Sequence, residues 1–181
     1  MFNWNGRSAR WFMSGVIVAV IILAGCGYIY LAYGKVPVAV ADKAFPMEAQ
    51  IVDVPLDARI EKEKQTAPLS PSSSVYERGA SVYRDQCASC HGVPNRDVEL
   101  AKWMYPEAPQ LWKKHDNSDA VGVSDDEPGE TFWKVKNGIR LTGMPAYGHI
   151  LTEEQMWDVS LLLRSSDKPL PASVRAILSN E

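Results

Sequence analysis

From Trp11 to Tyr33 the chain reads WFMSGVIVAVIILAGCGYIYLAY, without one charged side chain. At ~1.5 Å of helical rise per residue, a run of ~23 residues covers the ~30 Å hydrocarbon thickness of a bilayer. Trp4, Trp11, Tyr28, Tyr30 and Tyr33 lie towards its two ends, where amphipathic rings prefer the membrane–water interface. A helix in a soluble core would keep a polar stripe, and this run has none. Residues 1–34 are therefore expected to form a membrane anchor. The same segment holds Leu23-Ala24-Gly25-Cys26 behind Arg7 and Arg10, which resembles a lipoprotein signal ending at a lipidated Cys26. Tyr28 to Tyr33 continue the apolar run past that cysteine, which favours a retained helix, with lipidation as the alternative. Orientation is not set by charge, because Arg7 and Arg10 before the span face Lys35 and Lys43 after it.

Outside this run the chain is ordinary. Its 181 residues suit one domain with appendages, and a mean hydropathy of −0.19 excludes a polytopic membrane protein. A net charge of −3 argues against a binder of nucleic-acid phosphates. Three cysteines are too few for a disulfide scaffold. Residues 35–74 read as a linker broken by Pro37, Pro46, Pro55, Pro68 and Pro71. One exception is expected over Leu56 to Lys64. There Pro55 suits a first turn, and the stretch forms either a helical docking arm or a solvated charged segment.

A domain is expected over residues 75–181. Ser74-Val75-Tyr76-Glu77 fits a capping box, and Tyr76, Gly79, Ala80, Tyr83 and Cys87 follow on one helical face. That helix runs into Cys87-Ala88-Ser89-Cys90-His91. The CxxCH string is the attachment signature of a c-type haem. Two thiols must reach two vinyl groups on one porphyrin edge, and the next histidine then comes under the iron. A zinc site would need four ligands, usually in two separated pairs, and His115 and His149 lack such spacing. A redox dithiol wants a βαβ setting, and no strand pattern follows residue 75.

With those residues in view, Gly79-Ala80-x-x-Tyr83-x-x-x-Cys87-x-x-Cys90-His91-Gly92 resembles the first helix and haem site of class I c-type cytochromes. The likeness extends over residues 75 to about 165. It implies an all-α fold, a small helical domain around one covalent haem c, with His91 as proximal ligand. It also implies a methionine ligand on a loop ahead of the last family helix. Gly138 to Gly148, containing Met144-Pro145, matches that loop and makes Met144 the sixth ligand. His149 and His115 are the rival ligands; Met104 is judged too near His91, and Met156 sits on a helix. The family's proline carbonyl that accepts from the proximal histidine corresponds to Pro109, with Pro94 or Pro106 as alternatives. Trp103 and Arg140 are the expected propionate contacts, while Phe132 and Trp133 are the expected haem walls.

Two further helices are expected. One runs from Pro128 to Asn137, ended by Gly138. The other opens with the capping box Thr152-Glu153-Glu154-Gln155 and runs to about Arg164. By the resemblance it crosses the first, with Trp157 against Gly79 and Tyr83. From Val75 to Glu181 there are 12 Lys/Arg against 16 Asp/Glu, so no basic surface marks the redox partner. The resemblance implies an electron carrier rather than an enzyme, with iron in a covalent haem. It would be tethered to a bacterial inner membrane, N-terminus cytoplasmic and haem domain periplasmic, exchanging electrons with redox protein partners. Neither nucleic acid nor a small-molecule substrate is expected. The alternatives are a fixed haem-relay subunit of a larger oxidoreductase and, in a different class, a haem ligand sensor.

Overall fold

The computed structural model describes residues 6–116 and 118–179; Trp4 of the expected aromatic belt lies outside the described residues. The chain divides into two compact units, Met1–Phe45 and Pro46–Glu181. The first is dominated by α1 (Gly6–Tyr33), whose 28 residues include Arg7 and Arg10 and bury no side chain. At ~1.5 Å per residue it exceeds the ~30 Å needed to cross a bilayer.

The second unit begins earlier than the sequence implied. Residues 46–74, read as linker, contain α2 (Glu48–Glu63), so Pro55 lies inside a helix rather than in a first turn. An interior proline removes one backbone hydrogen bond and crowds the carbonyl four residues back. Tertiary contacts at the other end of α2 offset that cost. Ile60 is buried, and Glu63 accepts from the Trp133 indole N–H at 2.9 Å. The Arg59 guanidinium lies 6.0 Å over the Trp133 ring. Lys64 bridges Glu61, Glu127 and Glu130 at 2.8, 3.1 and 3.4 Å, which raises its pKa above the usual lysine range. Gly129 completes the contact, since a Cβ there would collide with the Gln65 carbonyl. The docking arm, one of two alternatives for this stretch, is what forms.

α3 (Ser73–Gln86) starts ahead of the expected cap. Ser72, not Ser74, accepts from the Val75 N–H, at 3.3 Å. Glu77 does not close a box; it accepts instead from Ser173 Oγ at 2.6 Å. In a run of three serines the cap goes to whichever one the packed helix leaves at its first turn. α5 (Pro128–Asn137) has proline in its opening turn and Gly138 at φ 66° beyond it. The capping box of α6 (Glu153–Leu163) is complete, with Thr152 and Gln155 exchanging both bonds. α7 (Ala172–Ser179), which the sequence did not announce, packs Val174 and Leu178 into the core against α3. Among the described residues there are isolated bridges but no strand.

α3 and α6 make the most extensive helix contact in this unit. Gly79 allows it: a Cβ there would collide with the Asp158 carbonyl and press on Leu162. Arg78 grips the buried Asp158 carboxylate through two bonds, 2.7 and 2.9 Å. The expected partners of Trp157 need correcting. Asp158 and Leu162 lie over Gly79, while Trp157 stacks on Phe132 with centroids 4.0 Å apart. Tyr83 meets Trp112 edge-on at 5.5 Å.

The Trp133 hydrogen bond holds the Glu63 carboxyl below the usual glutamate pKa. A depressed folded-state pKa contributes stability that is present above the unfolded value and is lost as pH falls through the folded one. Glu63→Gln is therefore expected to lower the melting temperature at pH 7 and to narrow its gap to the parent protein as pH drops below about 4. Melting curves of both proteins between pH 7 and 3 check this; a gap independent of pH would refute it.

Candidate functional site

The site is built at the end of α3. Cys87 caps that helix, its N–H bonded to the Tyr83 carbonyl at 2.8 Å, and the chain passes directly into the one-turn α4 (Ala88–His91). The Cys90 and His91 N–H groups both return to the Cys87 carbonyl, at 3.1 and 3.0 Å. That turn sets the two thiols three residues apart, the spacing at which helical side chains are neighbours. Gly92 ends it at φ 71°, where a Cβ would press on Gln110 Oε1 and the Arg96 carbonyl.

His91 Nδ1 lies 2.8 Å from the Pro109 carbonyl. A carbonyl only accepts, so Nδ1 carries the proton and Nε2 keeps its lone pair. Burial lowers the His91 pKa, against the opposing pull of that carbonyl, and favours the neutral ring. Both effects suit a metal-binding imidazole. Pro109, rather than Pro94 or Pro106, takes this position.

Gln110, which the sequence did not single out, bolts the two segments together. Its amide nitrogen donates to the Cys90 and Ala108 carbonyls at 3.1 and 3.2 Å, and its Oε1 accepts from the Val98 N–H at 2.9 Å. The Leu111 N–H reaches the His91 carbonyl at 3.1 Å. From behind, the buried Tyr83 hydroxyl donates towards the Gly92 and His91 carbonyls, at 2.8 and 3.1 Å. No motif marks a glutamine for such a role; only the folded loop does.

Met144 sits in the Ile139–Met144 loop, half-buried and packed on the hydrophobic core. Tyr147, three residues on, donates to the Gln86 carbonyl at 2.7 Å. That bond ties the methionine loop to the residue before Cys87. Met104, set aside in the sequence as too near His91, packs against this loop: its methyl group occupies the space a Cβ at Gly143 would need. His149 and His115 are exposed. Trp103 is also exposed, at the end of the 3-10 turn Glu99–Trp103, as is Arg140. Trp133 is buried, but its N–H is taken by Glu63 and one ring face by Arg59.

The chemistry of the thiols is informative. Burial, and secondarily Cys90, pushes the Cys87 thiol up to about 12. A disulfide oxidoreductase needs a lowered thiol pKa at its attacking cysteine. Among the described residues no three His, Cys, Asp or Glu side chains gather into a metal cage. Two thiols on one turn and a neutral imidazole with Nε2 available are a donor set that could hold a haem.

Residues 74–161 match the family model described as cytochrome c oxidase, cbb3-type, subunit III. No curated protein matches the chain significantly.

Proposed function

Residues 74–161 are a c-type cytochrome domain of the all-α class I fold, preceded by one apolar helix long enough to cross a membrane, and on that premise we propose that the protein is a membrane-tethered, single-haem electron carrier. Bound haem supplies the one-electron Fe(III)/Fe(II) couple. In this reading Cys87 and Cys90 hold the haem by thioether links. His91 would ligate the iron through Nε2, and Met144 would supply a second ligand through its thioether. The observation that carries the reading is the bond from His91 Nδ1, in the CxxCH turn, to the Pro109 carbonyl of a separate loop, because it fixes the tautomer a proximal ligand needs.

Met144 is favoured over His149 because its side chain packs inwards while His149 is exposed. A soft thioether favours the ferrous state and raises the potential. Arg140 and Trp103 are assigned to the haem propionates on their positions, one beside the Met144 loop and one beside Met104. Trp133 serves the α2–α5 contact in this reading. The tether is Gly34 to Phe45, ahead of the compact unit.

Haem c is attached outside the cytoplasm, so residues 46–181 are assigned to the periplasm and α1 to the inner membrane. Holding the carrier there raises its effective concentration at membrane-bound redox partners. A second reading, a fixed relay subunit of a larger oxidoreductase, draws on the oxidase-subunit description of the matched family. A catalytic protein co-purifying in stoichiometric amount from mild detergent would favour it.

Denatured protein is expected to retain haem on a gel, and the Cys87→Ala/Cys90→Ala variant to lose it. Haem that extracts freely from the parent protein in acidified acetone would overturn covalent attachment. Met144→Ala is expected to abolish the weak sulfur-to-iron absorption band, lower the potential and admit carbon monoxide to the ferrous form. His149→Ala should change none of these. Rapid carbon monoxide binding by the parent protein would instead support a ligand sensor. For the anchor, the intact mass of the mature protein should include α1; a mass beginning at a diacylated Cys26 would overturn retention.

A further inference from the structure

Thr142 is a residue that no motif singles out, yet its hydroxyl stands at the centre of the loop carrying Met144. It donates to the Ile139 carbonyl at 2.7 Å and accepts from the Met144 N–H at 3.1 Å. The Thr142 N–H also reaches the Ile139 carbonyl, at 3.2 Å. The one direct backbone bond closing the loop among the described contacts, Ile139 N–H to the Met144 carbonyl, is long at 3.4 Å.

The loop is also strained. Leu141 adopts φ 63°, and Gly138 before it φ 66°. A branched residue in the left-handed region is held there only when its surroundings over-determine it. Packing supplies little of that, since Leu141 is 84% exposed. The outer contacts are the Met104 methyl against Gly143 and the Met144 carbonyl against Gly138. Without the Thr142 hydroxyl, the Met144 amide would lose the partner it has among the described residues, and the loop would be closed only by its longest bond.

We propose that Thr142 is a positioning residue, whose hydroxyl pins the Met144 backbone and so holds the thioether on the iron. The proposal rests on the reading of Met144 as the sixth ligand. Valine matches threonine in shape but lacks the hydroxyl, alanine lacks both hydroxyl and bulk, and serine keeps the hydroxyl alone. The three variants therefore separate hydrogen bonding from packing.

The test uses the full haem-loaded chain in detergent, with imidazole as a competitor for the sixth position of the ferric form. Thr142→Val and Thr142→Ala are expected to tighten imidazole binding about three- to tenfold, the population factor that one neutral hydrogen bond sustains. Both should also weaken the sulfur-to-iron band. Thr142→Ser should stay within about twofold of the parent protein, just under the smallest factor one hydrogen bond sustains. Unchanged imidazole affinity in Thr142→Val and Thr142→Ala would overturn the proposal, as would a serine variant that loosens like valine. Met144→Ala serves as the separate control. If it leaves imidazole affinity unchanged, the ligand reading itself fails; if it tightens binding while Thr142→Val and Thr142→Ala do not, only the role of Thr142 fails.

Discussion

The close crossing of α3 and α6 at Gly79 is the contact on which the remaining geometry depends. With no side chain at 79, the Asp158 backbone comes within van der Waals reach of α3. The Arg78–Asp158 pair fixes the axial register of that approach. Asp158 is fully buried, and a buried carboxylate left without its partner is strongly destabilising, by about 3–5 kcal/mol. The pair therefore discriminates against sliding the helices more than it adds net stability. Once α3 is placed, its last turn places Cys87, and the tight turn to His91 has no freedom left to misalign the thiols and the imidazole.

From there the site is assembled by backbone carbonyls rather than by charge. Tyr83, Gln110 and Tyr147 each spend a side-chain donor on a carbonyl near the CxxCH turn: Gly92, Cys90 and Gln86. Two segments distant in sequence are thus referred to one helix end, which Tyr83 braces from within α3. The loop with Pro109 meets His91 on one side. The loop with Met144 is held to the same helix end through Tyr147. Neutral bonds of this kind are worth only about 0.5–1.5 kcal/mol each. Buried, they cost more when broken than they contribute when made, and this makes the arrangement specific.

The legible parts of the chain were those governed by local rules. The CxxCH turn, the α5 ends at Pro128 and Gly138, and the Thr152–Gln155 box all follow from spacing and capping, and the structure has them as read. What the sequence hid was decided at a distance. α2 contains a proline and is stabilised by Trp133, Glu127 and Glu130, all more than 60 residues away. Ser72 displaced Ser74 as a cap because α3 starts where the packed core lets it start. Trp157 found Phe132 because the rotation of α6 about its axis is set by Gly79, not by aromatic spacing. Gln110 and Thr142 escaped notice for a different reason: their roles are hydrogen bonds within loops, where no periodicity exists to read.

The same logic applies to the acidic run Asp125-Asp126-Glu127, which by sequence alone reads as a solvated loop. In the fold, Asp126 pairs with Lys134 at 2.8 Å, and Glu127 joins Glu130 and Glu61 around Lys64. The Lys134–Asp126 pair is neutral, while three carboxylates around the single Lys64 ammonium leave a local excess of negative charge. The work of the run is internal: it holds α2 against α5, where Trp133 is also engaged. Charge on this face therefore organises the contact between α2 and α5. Lys102, Lys113 and Lys114 are likewise engaged by Glu99, Asp97 and Asp119. Pairs as exposed as these contribute little net stability, so they shape the local surface more than they stabilise the fold.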